Sequence, residues 1–203
     1  MIREAYQHAA QLFVATVRQV EAEQWDRIAL GEWTVRDLVG HANRALLTVE
    51  TYLGQPAAVV EVERPADYFI RASAALADPT AVAARGREAG QALGAEPAEA
   101  VREAADRVLA KVGKAADDAC LTTPVGGMRL IDYLPTRVFE LTVHTLDIAA
   151  AISVPVTLPQ EAAALTLNLV TDLVASQPEQ VAPLLLAVTG RQALPPGFSV
   201  FST

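Results

Sequence analysis

Apolar side chains recur at helical spacing from the start of the chain. Ile2, Tyr6, Ala9, Phe13, Thr16, Val17 and Val20 fall on one face when residues 2–20 are wound as a helix. The spacing predicts a first helix with one buried side, followed by a connection that contains Gly31. Thr34 is placed to cap a second helix, with Asp37 three residues on completing a variant capping box. That helix runs to Leu53 and stops at Gly54, a natural C′ residue. Residues 54–78 are less regular, with Pro56, Pro65 and a short helical candidate over 68–75. Asp78-Pro79 reads as the next start, with proline at the first helical position. An Ala-rich helix follows to about Leu93, breaks over 94–97 and resumes to about Asp118. Pro124 and Gly126-Gly127 mark a turn. A largely apolar helix then covers about 130–152, where Pro135 is tolerable only if it lies in the first turn. Residues 153–159 are a connection, 159–176 another helix, and 178–189 a short one closed by Gly190. The tail over 190–203, with Pro195-Pro196-Gly197, is extended or irregular.

No segment has a convincing strand period, and there is no repeat and no linker of domain-separating length. The expectation is therefore one all-α domain over 1–203, an up-and-down four-helix bundle with short additional helices. Composition agrees: 52% of residues are hydrophobic but only 5% aromatic, so the core is built mainly of Ala, Val and Leu, which favours packed helices over a β-sandwich. A net charge of −8 with no basic run argues against a nucleic-acid partner, whose phosphates need clustered Lys and Arg. The longest apolar stretches, such as 181–188, are too short to span a bilayer, and the N-terminus has no signal-peptide region. No membrane partner and a cytoplasmic setting are expected. Cys120 is the single cysteine, so no internal disulfide can form. It lies in the loop-like stretch 118–124 without an adjacent His or basic residue to lower its pKa, and reads as a partly buried thiol without a role.

Candidate chemistry concentrates in one helix. Glu140 and His144 are four residues apart, so both project from one face. His41 lies in the second predicted helix, at the edge of its apolar face. The chain has 3 histidines, and two of them fall at these positions. Two imidazoles and a carboxylate can hold a divalent metal and leave a position open for water or substrate. There is a plainer reading: His41 as a boundary histidine and Glu140/His144 as a surface pair contributing a few tenths of a kcal/mol. On spacing alone, the plainer reading is the commoner outcome. Helix context shifts the balance, because Val138, Phe139, Leu141 and Val143 surround Glu140. A carboxylate in such a helix needs a cation, a metal or an arginine. Arg137 is placed to support Glu140, and Asp147 to receive an imidazole N–H; a solvated helix edge is the alternative for both. His8 sits beside the buried stripe of the first helix and is given no role.

Three segments carry a resemblance: Trp33-Thr-Val-Arg-Asp-Leu-Val-Gly-His41, Gly126-Gly-Met-Arg-Leu-Ile-Asp-Tyr-Leu134, and Arg137-x-x-Glu140-x-x-x-His144-x-x-Asp147. With the ending Gly190-Arg-Gln-Ala-Leu-Pro-Pro-Gly-Phe-Ser-Val200, they resemble the mycothiol-dependent maleylpyruvate isomerase family over nearly the whole chain. The resemblance implies a DinB/YfiT-like four-helix bundle with His41, Glu140 and His144 as metal ligands. It also implies a low-molecular-weight thiol as cosubstrate, mycothiol in actinobacteria. The characterised isomerase has an additional C-terminal domain that contributes to its active site, and this sequence is read as leaving no room for one after Val200. The leading expectation is an isomerase or S-transferase acting on a small electrophile. Zinc is the expected metal, with nickel or iron as alternatives, and Arg137 and Asp147 as supporting residues. A metal-dependent hydrolase and a non-catalytic, metal-stabilised small-molecule-binding module are the alternatives. Related bundles often dimerise, so a homodimer is the expected assembly.

Overall fold

The computed structural model describes residues 1–75 and 79–201, which form eight helices and two small hairpins. Helix α1 (Ile2–Val17) buries Tyr6, Ala9, Phe13, Thr16 and Val17, as the spacing anticipates, and leaves Ile2 half-buried. The capping box at Thr34 is present: its hydroxyl accepts from the Asp37 amide, and the Asp37 carboxylate accepts from the Thr34 amide. This box opens α2 (Val35–Leu53). Gly54 ends α2, but in a right-handed conformation (φ −80°) rather than as a left-handed C′ glycine. Helices α3 (Pro65–Ala75), α4 (Pro79–Ala92) and α5 (Pro97–Lys114) follow. Asp78, expected before the start of α4, lies outside the described residues, as do the last two residues of the tail. Next come α6 (Leu130–Ile152), α7 (Gln160–Ala175) and α8 (Pro178–Val188).

Four helices close a ring in which α1 packs on α6, α6 on α2, α2 on α5 and α5 on α1. Helix α6 is the central member, with Leu130, Leu134, Val138, Leu141 and Ile148 all inaccessible. Helix α4 lies on the outside of α2, while α7 lies against α1 and α6 and carries α8. The all-α, DinB-like architecture is thus realised, with the short extra helices around it.

Two expectations need correction. Short strands are present: β1 (Ile28–Leu30) pairs with β2 (Trp33–Thr34), and β3 (Cys120–Thr123) pairs with β4 (Gly126–Arg129), both antiparallel. Elements of 2 to 4 residues are too short to display alternation in sequence. Cys120 therefore sits in a strand rather than a loop, with its thiol donating to the Val59 carbonyl at 3.4 Å. The second correction concerns Pro135, which lies beyond the first turn of α6, counted from Leu130, and is buried there. A proline inside a helix forfeits the bond to the carbonyl four residues back and costs about 3 kcal/mol or more. Burial of α6 on three sides offsets that loss.

The α2–α4 contact depends on missing side chains. A Cβ on Gly40 would come within 2.3 Å of the Gly90 backbone nitrogen, and a Cβ on Gly86 within 2.4 Å of the Trp33 ring. The two helices therefore approach backbone to backbone, and Trp33 is wedged under α4 with its indole N–H donating to the Ala83 carbonyl at 3.1 Å.

Candidate metal centre and its cavity

Helix α6 supplies Glu140, His144 and Asp147 from one face, and α2 supplies His41 from across the core. One donor atom from each of His41, Glu140 and His144 lies within 4.8 Å of the other two. The imidazoles of His41 and His144 meet edge to face, their centroids 5.0 Å apart. Nε2 of His144 lies 3.2 Å from Glu140 Oε2, and Nδ1 lies 3.1 Å from Asp147 Oδ2. The His144 side chain is only 15% exposed, between two partly shielded carboxylates.

The electrostatics follow from this enclosure. Burial alone would lower the His144 pKa, but hydrogen bonds to Asp147 and Glu140 and the charges of both outweigh it, raising the value to about 9. Burial likewise opposes ionisation of Glu140. It is overcome by the hydrogen bond with His144 and by the charges of Arg137, His144 and His41, which hold the carboxyl at about 2. His41 goes the other way: desolvation, then repulsion from His144, lower it to about 4, so its imidazole is neutral near pH 7. Nδ1 of His41 is buried without a hydrogen-bond partner among the described residues.

This donor set fits a divalent cation. It combines a neutral imidazole with a buried orphan nitrogen, an ionised carboxylate that needs a counter-charge, and a second imidazole that would exchange its proton for metal. Two nitrogens and one oxygen suit zinc and its first-row neighbours rather than calcium or magnesium. Asp147 accepts from the Nδ1 side of His144, which orients the ring as carboxylates do behind metal-bound histidines.

Arg137, expected to support Glu140, does so without touching it. Among the described residues it forms no ion pair with Glu140. Its guanidinium lies 4.8 Å from the Tyr133 ring and 5.2 Å from the Tyr68 ring, and Nε donates to Thr136 Oγ1 at 3.0 Å. A cation over the negative faces of two rings is stabilised without a carboxylate. Its charge still acts on Glu140 through space. Tyr133 is fixed in turn by donating to Thr48 Oγ1 at 3.0 Å. His8, given no role, lies on α1 facing Glu161 at 3.4 Å, away from the cluster.

The cluster opens into a cavity of about 230 Å³ whose wall includes His41, Glu140 and Arg137. Other parts of the wall were not apparent in sequence. Tyr68 and Phe69 come from α3, Arg85 from α4, and Pro124 from the turn between β3 and β4. Trp33 was noted only within a motif, yet its ring centroid lies 4.5 Å from that of His41. None of these left a signal in sequence; the Tyr133–Arg137 pairing beside them did, since the two residues are one helical turn apart.

No helix among the described residues is long and apolar enough to cross a membrane. No curated protein and no solved structure matches the chain. The sequence profile described as the mycothiol maleylpyruvate isomerase N-terminal domain matches residues 6–149, a span that includes α2, α6 as far as Ala149, and every residue of the cluster. The chain therefore belongs to the mycothiol maleylpyruvate isomerase N-terminal domain family.

Proposed function

We propose that this protein is a metal-dependent enzyme that uses a low-molecular-weight thiol, mycothiol or a relative, either to isomerise a small electrophile or to add to it and become S-alkylated. The observation that carries the reading is the convergence of His41, Glu140 and His144 beside a cavity, in a chain of this family. These three residues would hold the metal, zinc in the first instance. When bound, a divalent cation supplies the charge that keeps a thiol deprotonated at neutral pH. Asp147 orients His144 through Nδ1, and Trp33 backs the His41 ring. The aromatic wall of Tyr68, Phe69 and Tyr52 excludes water from one side of the cavity, which strengthens charge interactions inside it. The thiolate sulfur forms a bond to an electrophilic carbon, and the displaced π electrons move onto the conjugated carbonyl. In an isomerase the adduct rotates about the former double bond and the C–S bond breaks, returning thiol. In a transferase the adduct takes up a proton and leaves.

Cobalt substitution tests this reading in a Cys120→Ser background, which removes the protein's own thiol. Millimolar low-molecular-weight thiol should add a sulfur-to-metal charge-transfer band. A cobalt-loaded protein whose spectrum is indifferent to thiol would move metal-assisted hydrolysis, or a non-catalytic binding module, ahead of it.

A further inference from the structure

A second cavity, of about 410 Å³, lies where α4 and α5 both pack on α2. It shares only Arg44 and Arg85 with the cavity beside the His–Glu–His cluster. Its floor is a stripe of α2 at helical spacing, Gly40, Asn43 and Leu47. Alanines of α4 and α5, Ala89 and Ala104 among them, form the facing walls. The close backbone approach of α2 and α4 at Gly40 and Gly90 fixes one side of the cleft, so its shape does not depend on a loop.

Asn43 is out of place on this floor. It is the middle residue of the stripe and only 5% exposed, yet its side-chain amide forms no hydrogen bond with any described residue. Gln24, also a buried amide, shows the usual arrangement: Oε1 accepts from the Glu21 amide at 2.8 Å, and Nε2 donates to the Ile152 carbonyl at 3.4 Å. Asparagine is a poor helix former because its side chain competes for nearby backbone groups. Asn43 sits inside α2 without making such a bond, and burying an amide unpaired adds a further cost. The rim of the cavity carries both signs, Glu88 with Arg44, Arg85 and Arg107, and Arg107 is already held by Glu50 at 3.0 Å. Charge therefore does not single out the inner end. The unpaired amide among alanine and leucine side chains does.

We infer that this cavity is a binding site for a planar primary carboxamide or lactam, seated with its amide edge on Asn43. Such a group carries N–H and C=O side by side. Its carbonyl accepts from Nδ2 and its N–H donates to Oδ1, the paired contact by which asparagine reads adenine in DNA. Oδ1 is shielded by its surroundings. The Cβ–Cγ torsion of asparagine is broad, and a turn about it brings both amide atoms to the cavity. The flat body of the ligand then lies against the alanine walls and Leu47. A trans secondary amide, with N–H and C=O on opposite sides, cannot make the pair. The site needs neither metal nor thiol and stands apart from the proposed function.

Fluorine NMR titration of the whole chain tests it with three probes of one shape. para-Fluorobenzamide carries the full amide edge. In para-fluoroacetophenone a methyl group replaces the NH2, and para-fluorobenzoate offers acceptors only. The carboxamide should bind at least about fivefold more tightly than either of the others. Asn43→Ala should bring carboxamide and ketone to within about twofold of each other. Ala100→Leu, which fills the cleft from the α5 wall, should weaken the carboxamide at least about tenfold and leaves Asn43 untouched. If Asn43→Ala loses its helical circular dichroism, the probe preference and Ala100→Leu decide. No binding of the carboxamide at tens of millimolar, equal binding of carboxamide and ketone, or tightest binding of the benzoate would overturn the site. So would a preference that survives Asn43→Ala or binding that survives Ala100→Leu.

Discussion

His144 touches a carboxylate on each side, and the two contacts have different jobs. Glu140 shares the candidate metal cluster with it, while Asp147 lies outside the cluster and faces the other ring nitrogen. Removing either histidine–carboxylate partner should therefore have a different signature. His144→Ala should abolish tight zinc binding yet leave the helical circular dichroism in place, because the core is made by apolar packing. Unchanged zinc affinity in that variant would take His144 out of the site. Asp147→Ala should keep the cluster but weaken zinc affinity about 10- to 100-fold, the usual loss when a carboxylate behind a metal-bound histidine is removed. Competition with a chromophoric chelator measures it; an affinity equal to that of the unaltered protein would reduce Asp147 to a surface residue.

At the scale of elements, the decisive contact is α2 against α4. It brings Arg85 to the cavity wall and seats Trp33 beneath α4 and beside His41. Gly40→Ala forces a Cβ to within 2.3 Å of backbone on α4, where no flexible side chain can give way. The expected penalty is about 1–3 kcal/mol, as for other overpacked interiors, read as a lower midpoint in urea. Gly113, on α5, is the control, since a Cβ there meets nothing within 4 Å. Gly113→Ala should be neutral or stabilise by up to about 1 kcal/mol through the unfolded state. If both substitutions behave alike, close approach is not what holds α4 in place.

For the whole molecule, the ring of α1, α6, α2 and α5 has a continuous apolar core that does not depend on the cluster. Metal removal should therefore leave a folded bundle, unlike a zinc finger, which unfolds without its ion. Chelator-treated protein should keep its far-ultraviolet spectrum. Rebinding zinc to about one ion per chain should raise the thermal midpoint, with a gain of about 2.7 kcal/mol when free zinc is 100 times Kd. Elemental analysis fixes the stoichiometry and calorimetry the gain. Loss of helix on chelation would show that the cluster is structural, and failure to rebind any ion would remove the metal reading altogether.

The elements most legible in sequence are those governed by short-range physics. The Thr34–Asp37 box opens α2 because its bonds span only three residues, and the ends of α6 fall at Leu130 and Ile152 as the apolar run suggests. Glu140, His144 and Asp147 share a face because helical geometry requires it. Other features arise only on folding. The hairpins are too short to announce themselves, and the 55–62 segment bonds to β3 and β4 mainly through backbone groups that every residue carries, with the Glu61 carboxylate and the Cys120 thiol adding one bond each. Proline at 135 looked acceptable only at a helix start, but burial of α6 outweighs the bond it forgoes. Arg137, expected to support Glu140, acts on it only through space; its guanidinium lies over Tyr133 of its own helix and Tyr68 of α3, and the second of these came from another helix. The sequence alone thus determined the helices and which side chains share a turn, because periodicity and capping act within a few residues. Tertiary packing decided which helices face each other, and hence that His41 meets α6 and that Arg44, Arg85 and Arg137 line one cavity, because those contacts join residues 41 to 103 positions apart in sequence, where no local pattern records them.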